Sequence, residues 1–266
     1  MKIRFTKMHG VGNDFIVIDQ LKNQYNLNAS EISLLSHRQF GIGFDQLLII
    51  EASSNPKAEF KYRIFNSDGT EVEQCGNGAR CFYHYIKERN LSKHTQITVE
   101  TKAGLIVLSK KNKDLISVDM GKPFFEKAIS KLFTFISIGN PHAVLHPLGM
   151  NDKWDDAIKD AKKIQADKVL FPQGVNVGVM KVIDENNLRL KVLERGSGLT
   201  LACGSGACAA TAAAIQEKLV KTPVTVHMDG GSLIIDWDGS SSIIMSGPAE
   251  IVYEGEFDLD SFKKYE

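Results

Sequence analysis

The sequence predicts an α+β fold that is built twice along one chain. Strand-like segments outnumber helical ones, and the connections between them are too short for a sheet of repeated parallel crossovers. Four segments of the first half also recur in the same order in the second half. We therefore expect two pseudo-symmetric halves from an internal duplication, 1–122 and 123–266, with the last strand or tail able to pack on the first half.

The duplication is visible as paired motifs. The segment at 60–78 aligns without gaps with the segment at 188–206: "FKYRIFNSDGTEVEQCGNG" and "LRLKVLERGSGLTLACGSG". "GNDFIV" is matched by "GNPHAV", "TVETKAG" by "TVHMDGG", and "MGKP" by "MSGP". A lone Gly-x-Gly recurs by chance, whereas four segments in one order do not. Equivalent residues of the two halves are expected at equivalent places in the fold.

The first half alternates strands with two helices. "IRFTKMHG", "FIVID", "QLLIIE" and "FKYRIF" are rich in β-branched and aromatic residues, which is typical of strands. Ser30 is the expected N-cap of a helix over "EISLLSHRQF" that Gly41 ends. A second helix is expected over "ARCFYHYIKERN", followed by strands over "ITVETKAGLIVLSKKNKDLISVDM" with turns at 103–104 and 112–113.

The second half shows the same order. Asn151 or Asp152 is the expected cap of a helix over "NDKWDDAIKDAKKIQ". Another helix is expected over "GACAATAAAIQEKLV", whose alanines predict tight packing inside its own half.

Charge and composition exclude several classes of function. Lysine plus arginine and aspartate plus glutamate are equal at 32 each, so no net field attracts nucleic acid or an anionic membrane. No apolar run resembles a signal peptide or a membrane span, which predicts a cytoplasmic protein with reduced thiols. The four cysteines lack Cys-x-x-Cys spacing, so no metal site is expected.

Two of the cysteines have matching settings. Cys75 and Cys203 each stand directly before a Gly-x-Gly turn that leads into a predicted helix. A helix N-terminus stabilises a thiolate and binds carboxylates or phosphates through its free N–H groups. If two such sites faced each other, one thiolate would remove a proton from a bound carbon and the other thiol would protonate the opposite face. The pair therefore predicts an inverting enzyme without a cofactor.

Other interpretations of the cysteines stay open. Cys81 and Cys208 are expected to be small buried hydrophobic residues. Cys75 and Cys203 could be the same, although flanking glycines are costly at an ordinary packed site. A redox-active disulfide is a third interpretation, and it lacks the usual motif.

Polar residues recur at fixed spacing before the two thiols. Asn66 stands nine residues before Cys75, and Glu194 stands nine before Cys203, followed by Arg195. A glutamate beside an arginine could bind the ammonium and carboxylate of an amino acid. The alternative is that Asn66 is a turn residue and that Glu194 and Arg195 are a solvated surface pair.

The "GN" motifs supply a second equivalent set. Asn140 and His142 match the positions of Asn13 and Phe15. His142 could tune the pKa of a thiol or could be a buried structural histidine, and the sequence favours neither.

The motifs together resemble the diaminopimelate epimerase family. "GNDF", "GFDQLL", "FNSDGTEVEQCGNGARC", "GNPHAV", "VNVG", "LERGSG" and "ACGSGACAA" follow in the family's order, and the longest block is highly specific. The resemblance implies two similar domains, each a strand-rich wrap around a central helix. It implies interconversion of LL- and meso-2,6-diaminopimelate without pyridoxal phosphate or any other cofactor, in lysine and peptidoglycan precursor synthesis. It also implies a homodimer, with Tyr253 at the interface.

The resemblance also implies roles for individual residues. Cys75 and Cys203 would be the acid/base pair, with Cys203 as acceptor and Cys75 as donor in the LL-to-meso direction. His142 and Glu194 would tune the pKa values of the thiols. The residues expected to bind substrate are Asn13, Gln46, Asn66, Gly76, Asn77, Asn140, Asn176, Glu194, Arg195, Gly204 and Ser205.

Four competing functions remain. A two-thiol racemase of proline or hydroxyproline is disfavoured by Asn77, because those relatives typically have histidine between the glycines. An isomerase that uses a carboxylate is disfavoured by the two intact cysteines. A protein that binds the amino acid without catalysis would exchange no α-proton. A redox protein would lose disulfide chemistry, rather than inversion, on replacement of Cys75 by serine.

Overall fold

A computed structural model of the chain describes residues 2–73, 75–112, 114–127, 130–146, 149 and 153–262. The chain divides into two compact units. Unit 1 comprises Met1–Val118 and Pro248–Glu266, and unit 2 comprises Asp119–Gly247. The domain ranges 1–122 and 123–266 expected from the sequence stay a prediction.

Strands dominate the secondary structure of the described residues. The strands are β1 (Lys2–Gly10), β2 (Asn13–Asp19), β3 (Gln46–Ala52), β4 (Phe60–Asn66), β5 (Glu71–Val72), β6 (Gln96–Thr101), β7 (Gly104–Lys110), β8 (Ile116–Asp119), β9 (Phe124–Phe125), β10 (Phe133–Ser137), β11 (Pro141–Leu145), β12 (Asn176–Asp184), β13 (Asn187–Glu194), β14 (Gly198–Thr200), β15 (Val224–Met228), β16 (Gly231–Asp236), β17 (Ile244–Gly247) and β18 (Glu250–Asp258). The helices are α1 (Ala29–Ser36), α2 (Gly76–Glu88), α3 (Trp154–Ala166), α4 (Gly204–Gln216) and α5 (Leu259–Phe262).

Unit 1 is a mixed sheet in which two parallel pairings interrupt antiparallel ones. β1 pairs with β2, β3 with β4, β4 with β5, β6 with β7 and β7 with β8, all antiparallel. The parallel pairs are β2 with β3, joined through α1, and β4 with β6, joined through α2. The C-terminal strand β18 returns to pair antiparallel with β1.

Unit 2 repeats this order of pairings. β10 and β11 are antiparallel, β11 and β12 are parallel, and β12, β13 and β14 follow antiparallel. β13 and β15 are parallel, and β15, β16 and β17 close the series. The short strand β9 pairs with β10 as β18 pairs with β1 in unit 1. The predicted α+β fold with two duplicated halves is therefore confirmed.

Each unit surrounds one buried helix. In unit 1, α2 contacts β1, β2, β3, β7 and β18, and most of its residues are buried. In unit 2, α4 contacts the strands from β10 to β13 together with β15 and β16. The small side chains along α4 let these strands approach the helix closely, as predicted. Its buried alanines are Ala207, Ala209, Ala210, Ala212, Ala213 and Ala214.

The expected cap of α1 was wrong. The helix begins at Ala29 and its N-cap is Asn28, whose side chain accepts from the N–H of Glu31 at 2.9 Å. The Glu31 carboxylate accepts from the N–H of Asn28 at 2.9 Å, which completes a capping box. Ser30 lies inside the first turn and donates to the Asn28 side chain. The helix ends at Ser36, before the predicted Gly41.

The other helices also begin at positions that sequence propensity did not predict. α2 and α4 start at the glycines Gly76 and Gly204, although glycine is a poor helix former. Packing of the surrounding strands outweighs that local preference. The N-cap of α3 is Lys153, and the expected caps Asn151 and Asp152 lie outside the described residues. Among the helices of the described part, none has the length and apolarity needed to cross a bilayer.

Candidate active-site residues in the two units

Cys75 is the N-cap of the buried helix of unit 1. Its half-buried Sγ accepts a hydrogen bond from the N–H of Gly78 at 3.4 Å. The same thiol lies 3.9 Å from Asn13 Oδ1, to which it donates. The sulfur therefore has a backbone donor that favours the thiolate and an amide acceptor that favours the thiol.

Asn13 and Asn77 lie together beside this thiol. Asn77 Nδ2 donates to Asn13 Oδ1 at 3.3 Å, and Asn13 Nδ2 donates to Asp45 Oδ2 at 2.9 Å. Asn77 is buried, and among the described residues its Oδ1 has no hydrogen-bond partner. A buried oxygen without a partner is suited to accept an N–H from a bound molecule.

Gln46 and Asn66 face each other at the same edge of unit 1. They are opposite residues in the β3–β4 ladder, and Gln46 Nε2 donates to Asn66 Oδ1 at 2.9 Å. Asn66 Nδ2 donates to Thr70 Oγ1 at 3.3 Å. Gln46 Oε1 is buried without a hydrogen-bond partner in the described part of the chain. This edge offers acceptors to an ammonium group.

The second glycine of each Gly-x-Gly turn is required by close packing. A Cβ at Gly78 would lie 2.3 Å from the hydroxyl of Tyr62, and a Cβ at Gly206 would lie 2.8 Å from Val192 Cγ2. Any larger residue would push the first turn of the helix away from its strand. The glycines therefore hold the two cysteines at the helix ends.

Cys203 occupies the equivalent N-cap in unit 2, in a different environment. Its thiol is buried and donates to Glu194 Oε2 at 3.2 Å, and Ser205 Oγ lies 3.7 Å from the sulfur. Burial and the neighbouring Glu194 carboxylate raise the pKa of the Cys203 thiol well above its ordinary value. Thr200 Oγ1 donates to Glu194 Oε1 at 2.6 Å and so orients the carboxylate.

His142 reaches Cys203 through Ser205. His142 Nε2 lies 3.0 Å from Asn140 Oδ1 and 3.0 Å from Ser205 Oγ. Burial lowers the pKa of His142 to about 3, so the imidazole is neutral near pH 7. A proton on Nε2 satisfies Asn140 Oδ1 and leaves the Ser205 hydroxyl proton for the sulfur. His142 is thus linked to the thiol through the Ser205 hydroxyl, as a neutral ring.

Asn176 and Arg195 lie at the neighbouring strand ends. Asn176 is opposite His142 in the β11–β12 ladder, and its Oδ1 accepts from the N–H of Arg195 at 2.8 Å. The exposed Arg195 side chain donates to the carbonyl of Gln173 at 2.8 Å. Lys162, Lys168 and Arg195 line a surface pocket of about 200 Å³. Three cations around one pocket suit a carboxylate.

The structure brings part of the predicted set together around each thiol. Unit 1 gathers Asn13 and Asn77 at Cys75, and unit 2 gathers Glu194 and Ser205 at Cys203. Two further residues were missed by sequence reasoning. They are Asp45, which directly precedes Gln46 in "GFDQLL", and Thr200, three residues before Cys203.

Comparison with known proteins places the chain in a family. The sequence model described as "Diaminopimelate epimerase" matches residues 5–126 and 134–252. The chain belongs to the diaminopimelate epimerase family. A diaminopimelate epimerase from a Psychrobacter species is 45% identical to it, in an alignment that covers 98% of this chain and 96% of the relative. The enzyme of that name from Pseudomonas fluorescens is 44% identical, covering 97% of this chain and 100% of the relative. The resemblance and the isomerase class predicted from the motifs are confirmed.

Solved structures share the fold. A phenazine biosynthesis protein of the PhzF family from Bacillus anthracis aligns with a TM-score of 0.73 at 17% identity, covering 97% of this chain and 99% of that one. A hydroxyproline epimerase from Agrobacterium vitis aligns with a TM-score of 0.73 at 14% identity, covering 97% and 93%. At such identities the likeness concerns the fold alone.

Proposed function

We propose that this protein interconverts LL- and meso-2,6-diaminopimelate without pyridoxal phosphate, using two cysteines on opposite faces of one α-carbon. The observation that carries the proposal is that the family match spans both halves and that each half has a cysteine at the N-cap of its buried helix. In the LL-to-meso direction Cys203 accepts the α-proton and Cys75 donates one. The roles exchange in the reverse direction.

Removal of the α-proton requires stabilisation of negative charge without an electron sink. The backbone N–H groups of the first helical turns carry partial positive charge and are oriented before substrate arrives. The N–H groups of Gly76–Asn77 and Gly204–Ser205 would bind the carboxylate at the reacting carbon. This binding stabilises the carbanionic charge that spreads onto the carboxylate.

Glu194 gives Cys203 a route to the thiolate. The thiol donates to Glu194 Oε2 at 3.2 Å, so transfer of its proton to that oxygen leaves a thiolate. The Ser205 hydroxyl, 3.7 Å from the sulfur, and the N–H of Gly206 both favour the thiolate and support its charge. The same proton makes the Glu194 carboxyl neutral, so the thiolate has no negative charge directly beside it.

The remaining polar side chains would bind the rest of the substrate. Diaminopimelate carries a second ammonium and a second carboxylate away from the reacting carbon. Buried amide oxygens suit the ammonium groups, and the cations at the Arg195 pocket suit the distal carboxylate. The proposed binding residues are Asn13, Gln46, Asn66, Asn77, Asn140, Asn176, Glu194 and Arg195.

Proton exchange in D2O tests the proposal. LL-diaminopimelate is incubated with the protein and a reductant, without added pyridoxal phosphate, beside proline and hydroxyproline. We expect deuterium at one α-carbon together with the meso isomer. Absence of exchange with diaminopimelate contradicts the proposal. Exchange with proline instead would mean that the chemistry was assigned correctly and the substrate wrongly.

We further propose a cytoplasmic homodimer in lysine and peptidoglycan precursor synthesis. Tyr253, on β18, is exposed and packs edge-on against Phe5, with 5.9 Å between the ring centroids. An exposed aromatic residue suits a contact between copies. Light scattering after gel filtration should give twice the chain mass, and Tyr253→Ala should lower it towards that of one chain.

A further inference from the structure

A chain of hydrogen bonds leads from the surface of unit 1 to the Cys75 thiol. Arg38 Nη2 donates to Asp45 Oδ1 at 2.8 Å. Asp45 Oδ2 accepts from Asn13 Nδ2 at 2.9 Å, and Asn13 Oδ1 accepts from the thiol at 3.9 Å. Neither Arg38 nor Asp45 belongs to the substrate-binding residues proposed above.

The orientation of the Asn13 amide decides what Cys75 meets. One end of an amide is a donor and the other an acceptor, and a rotation of 180° exchanges them. An ionised carboxylate can only accept, so Asp45 binds the Nδ2 end. The Oδ1 end is thereby directed to the thiol and to Asn77 Nδ2, which donates to it at 3.3 Å.

We propose that Asp45 is a positioning residue for Cys75, because it fixes the Asn13 amide with its oxygen towards the thiol. The oxygen favours the protonated thiol, which is the form that donates a proton in the LL-to-meso direction. The expected effect of Asp45 on the rate of epimerisation rests on the proposed function. Its expected effect on the protonation of the Cys75 thiol does not.

Asp45 is held firmly although it is exposed. Asp45 Oδ2 also accepts from the N–H of Asp14 at 3.2 Å, and the N–H of Asp45 donates to Asp14 Oδ1 at 3.0 Å. Arg38 binds both oxygens of Asp14, at 2.9 and 2.8 Å, and Lys7 binds Asp14 at 2.5 Å. Although burial opposes ionisation, hydrogen bonds from Arg38 and Lys7 hold the pKa of Asp14 well below its ordinary value. The Asp14 carboxylate therefore stays charged, and its hydrogen bonds, together with those of Arg38, define the direction of Asp45.

The described residues of unit 2 contain no counterpart of this hydrogen-bond chain. The strand that corresponds to β3 is β12, which begins at Asn176, and the residue before it is the buried Val175. The Cys203 thiol is faced by Glu194 instead. The hydrogen-bond chain thus acts on one thiol of the pair, and the other thiol serves as an internal reference.

Tyr62 on β4 and Cys81 on α2 also interact with the Cys75 thiol. Burial raises the pKa of Tyr62 and of Cys81 well above their ordinary values. Neither group changes charge between pH 6 and 9. A change in the Cys75 profile in that window therefore reports the thiol and its hydrogen bonds.

The test measures alkylation of each thiol against pH. Wild type, Asp45→Ala and Asp45→Asn are treated with iodoacetamide, and peptide mass spectrometry follows Cys75 and Cys203 separately. In Asp45→Ala the Asn13 amide loses its anchor and offers Nδ2–H to the thiolate. We expect the midpoint of the Cys75 profile to move to lower pH by about one unit. Asp45→Asn keeps an acceptor oxygen and should restore the wild-type midpoint.

Matched controls separate positioning from loss of structure. Asp19 lies at the far end of β2 and accepts from the N–H of Leu21 at 2.9 Å, so Asp19→Ala removes a comparable carboxylate and should leave both profiles unchanged. If Asp45→Ala does not fold, Arg38→Met releases Asp45 from the surface side and should move the Cys75 midpoint in the same direction by less. An unchanged Cys75 midpoint in folded Asp45→Ala, or an equal shift of Cys203, overturns the inference.

Epimerisation is measured in the same variants. We expect kcat of Asp45→Ala to fall roughly tenfold, with recovery in Asp45→Asn. If wild type shows no exchange with diaminopimelate while the alkylation midpoint shifts as expected, the proposed function fails and the positioning role stands. If wild type is active and the midpoint does not move in Asp45→Ala, the proposed function stands and the positioning role fails.

Discussion

The thiols of the two units occupy the same point of the same fold but have different neighbours. Cys75 is half-buried and donates to the neutral amide of Asn13. Cys203 is buried and donates to the carboxylate of Glu194. The residue of unit 1 that matches Glu194 is Asn66, which bonds to other amide and hydroxyl groups of its own edge. Duplication therefore preserved the position of the thiol and not the group that accepts its hydrogen bond.

Such a difference suits the proposed two-cysteine mechanism. In that mechanism one cysteine must be a protonated thiol while the other is a thiolate. Two thiols in identical surroundings would have equal pKa values, so the state with one thiol and one thiolate would be less populated. An amide beside one thiol and a carboxylate beside the other make the two pKa values different.

The largest expected effect comes from removing either thiol. Cys75→Ala and Cys203→Ala should each lower the rate of inversion roughly a thousandfold or more, because each variant lacks the acid or base for one face. The remaining thiol can still exchange a proton on its own face. We expect slow deuterium exchange without inversion, in LL-diaminopimelate for Cys75→Ala and in the meso isomer for Cys203→Ala, measured by NMR in D2O.

The other two cysteines provide the control for this experiment. Cys81 and Cys208 are fully buried within α2 and α4, away from the helix ends. Cys81→Ala and Cys208→Ala should retain inversion. If they lose as much activity as the N-cap variants while remaining folded, the assignment of the pair is wrong.

Replacing the carboxylate beside Cys203 should reduce the asymmetry. Glu194→Gln removes the negative charge that contributes, after burial, to the raised pKa of Cys203. The midpoint of Cys203 alkylation should fall while that of Cys75 stays in place, and kcat should drop roughly a hundredfold. Glu185→Gln, an exposed carboxylate of unit 2, is the control and should change neither. A fall in kcat without a shift in the Cys203 profile would leave Glu194 as a substrate-binding group only.

The buried histidine of unit 2 should make stability depend on pH. Burial lowers the pKa of His142 from 6.5 to about 3, so the unfolded chain binds the proton first as pH falls. The stability that the neutral ring contributes is complete above pH 6.5 and is lost by about 1.4 kcal/mol per pH unit below it, down to pH 3. His142→Gln should therefore lose less stability than wild type between pH 6.5 and 4.5 in urea unfolding. Parallel curves would contradict the assignment.

The smallest expected effects concern α1 and α3, the helices that join the parallel strand pairs β2–β3 and β11–β12. α1 has a capping box at Asn28, whereas α3 begins after Lys153 without a side-chain cap. Asn28→Ala should lower the free energy of unfolding by about 1 kcal/mol, and Lys153→Ser should raise it by about 0.5 kcal/mol. Ser30→Ala should cost less than Asn28→Ala. A larger loss of unfolding free energy in Ser30→Ala than in Asn28→Ala, measured by urea unfolding, would mean that Ser30 is the cap.

Local sequence signals predicted much of the fold and misplaced its details for identifiable reasons. Strand segments and the repeat were readable because alternation and motif order survive in sequence. Ser30 was the expected cap, whereas the structure has Asn28, whose spacing to Glu31 is that of a capping box. The starts of α2 and α4 at glycines were not readable, since they depend on strands that pack around those helices.

The sequence alone determined that the chain is duplicated, that each half has a cysteine before a Gly-x-Gly turn, and which family it belongs to. These properties lie in contiguous motifs, so no folding is needed to see them. Only the tertiary structure decided which group faces each thiol. Asn13 meets Cys75 across 62 positions of the chain, and Asp45 reaches Asn13 across 32. Such contacts arise from the pairing of strands and the packing of the helix against them, which residue spacing does not encode.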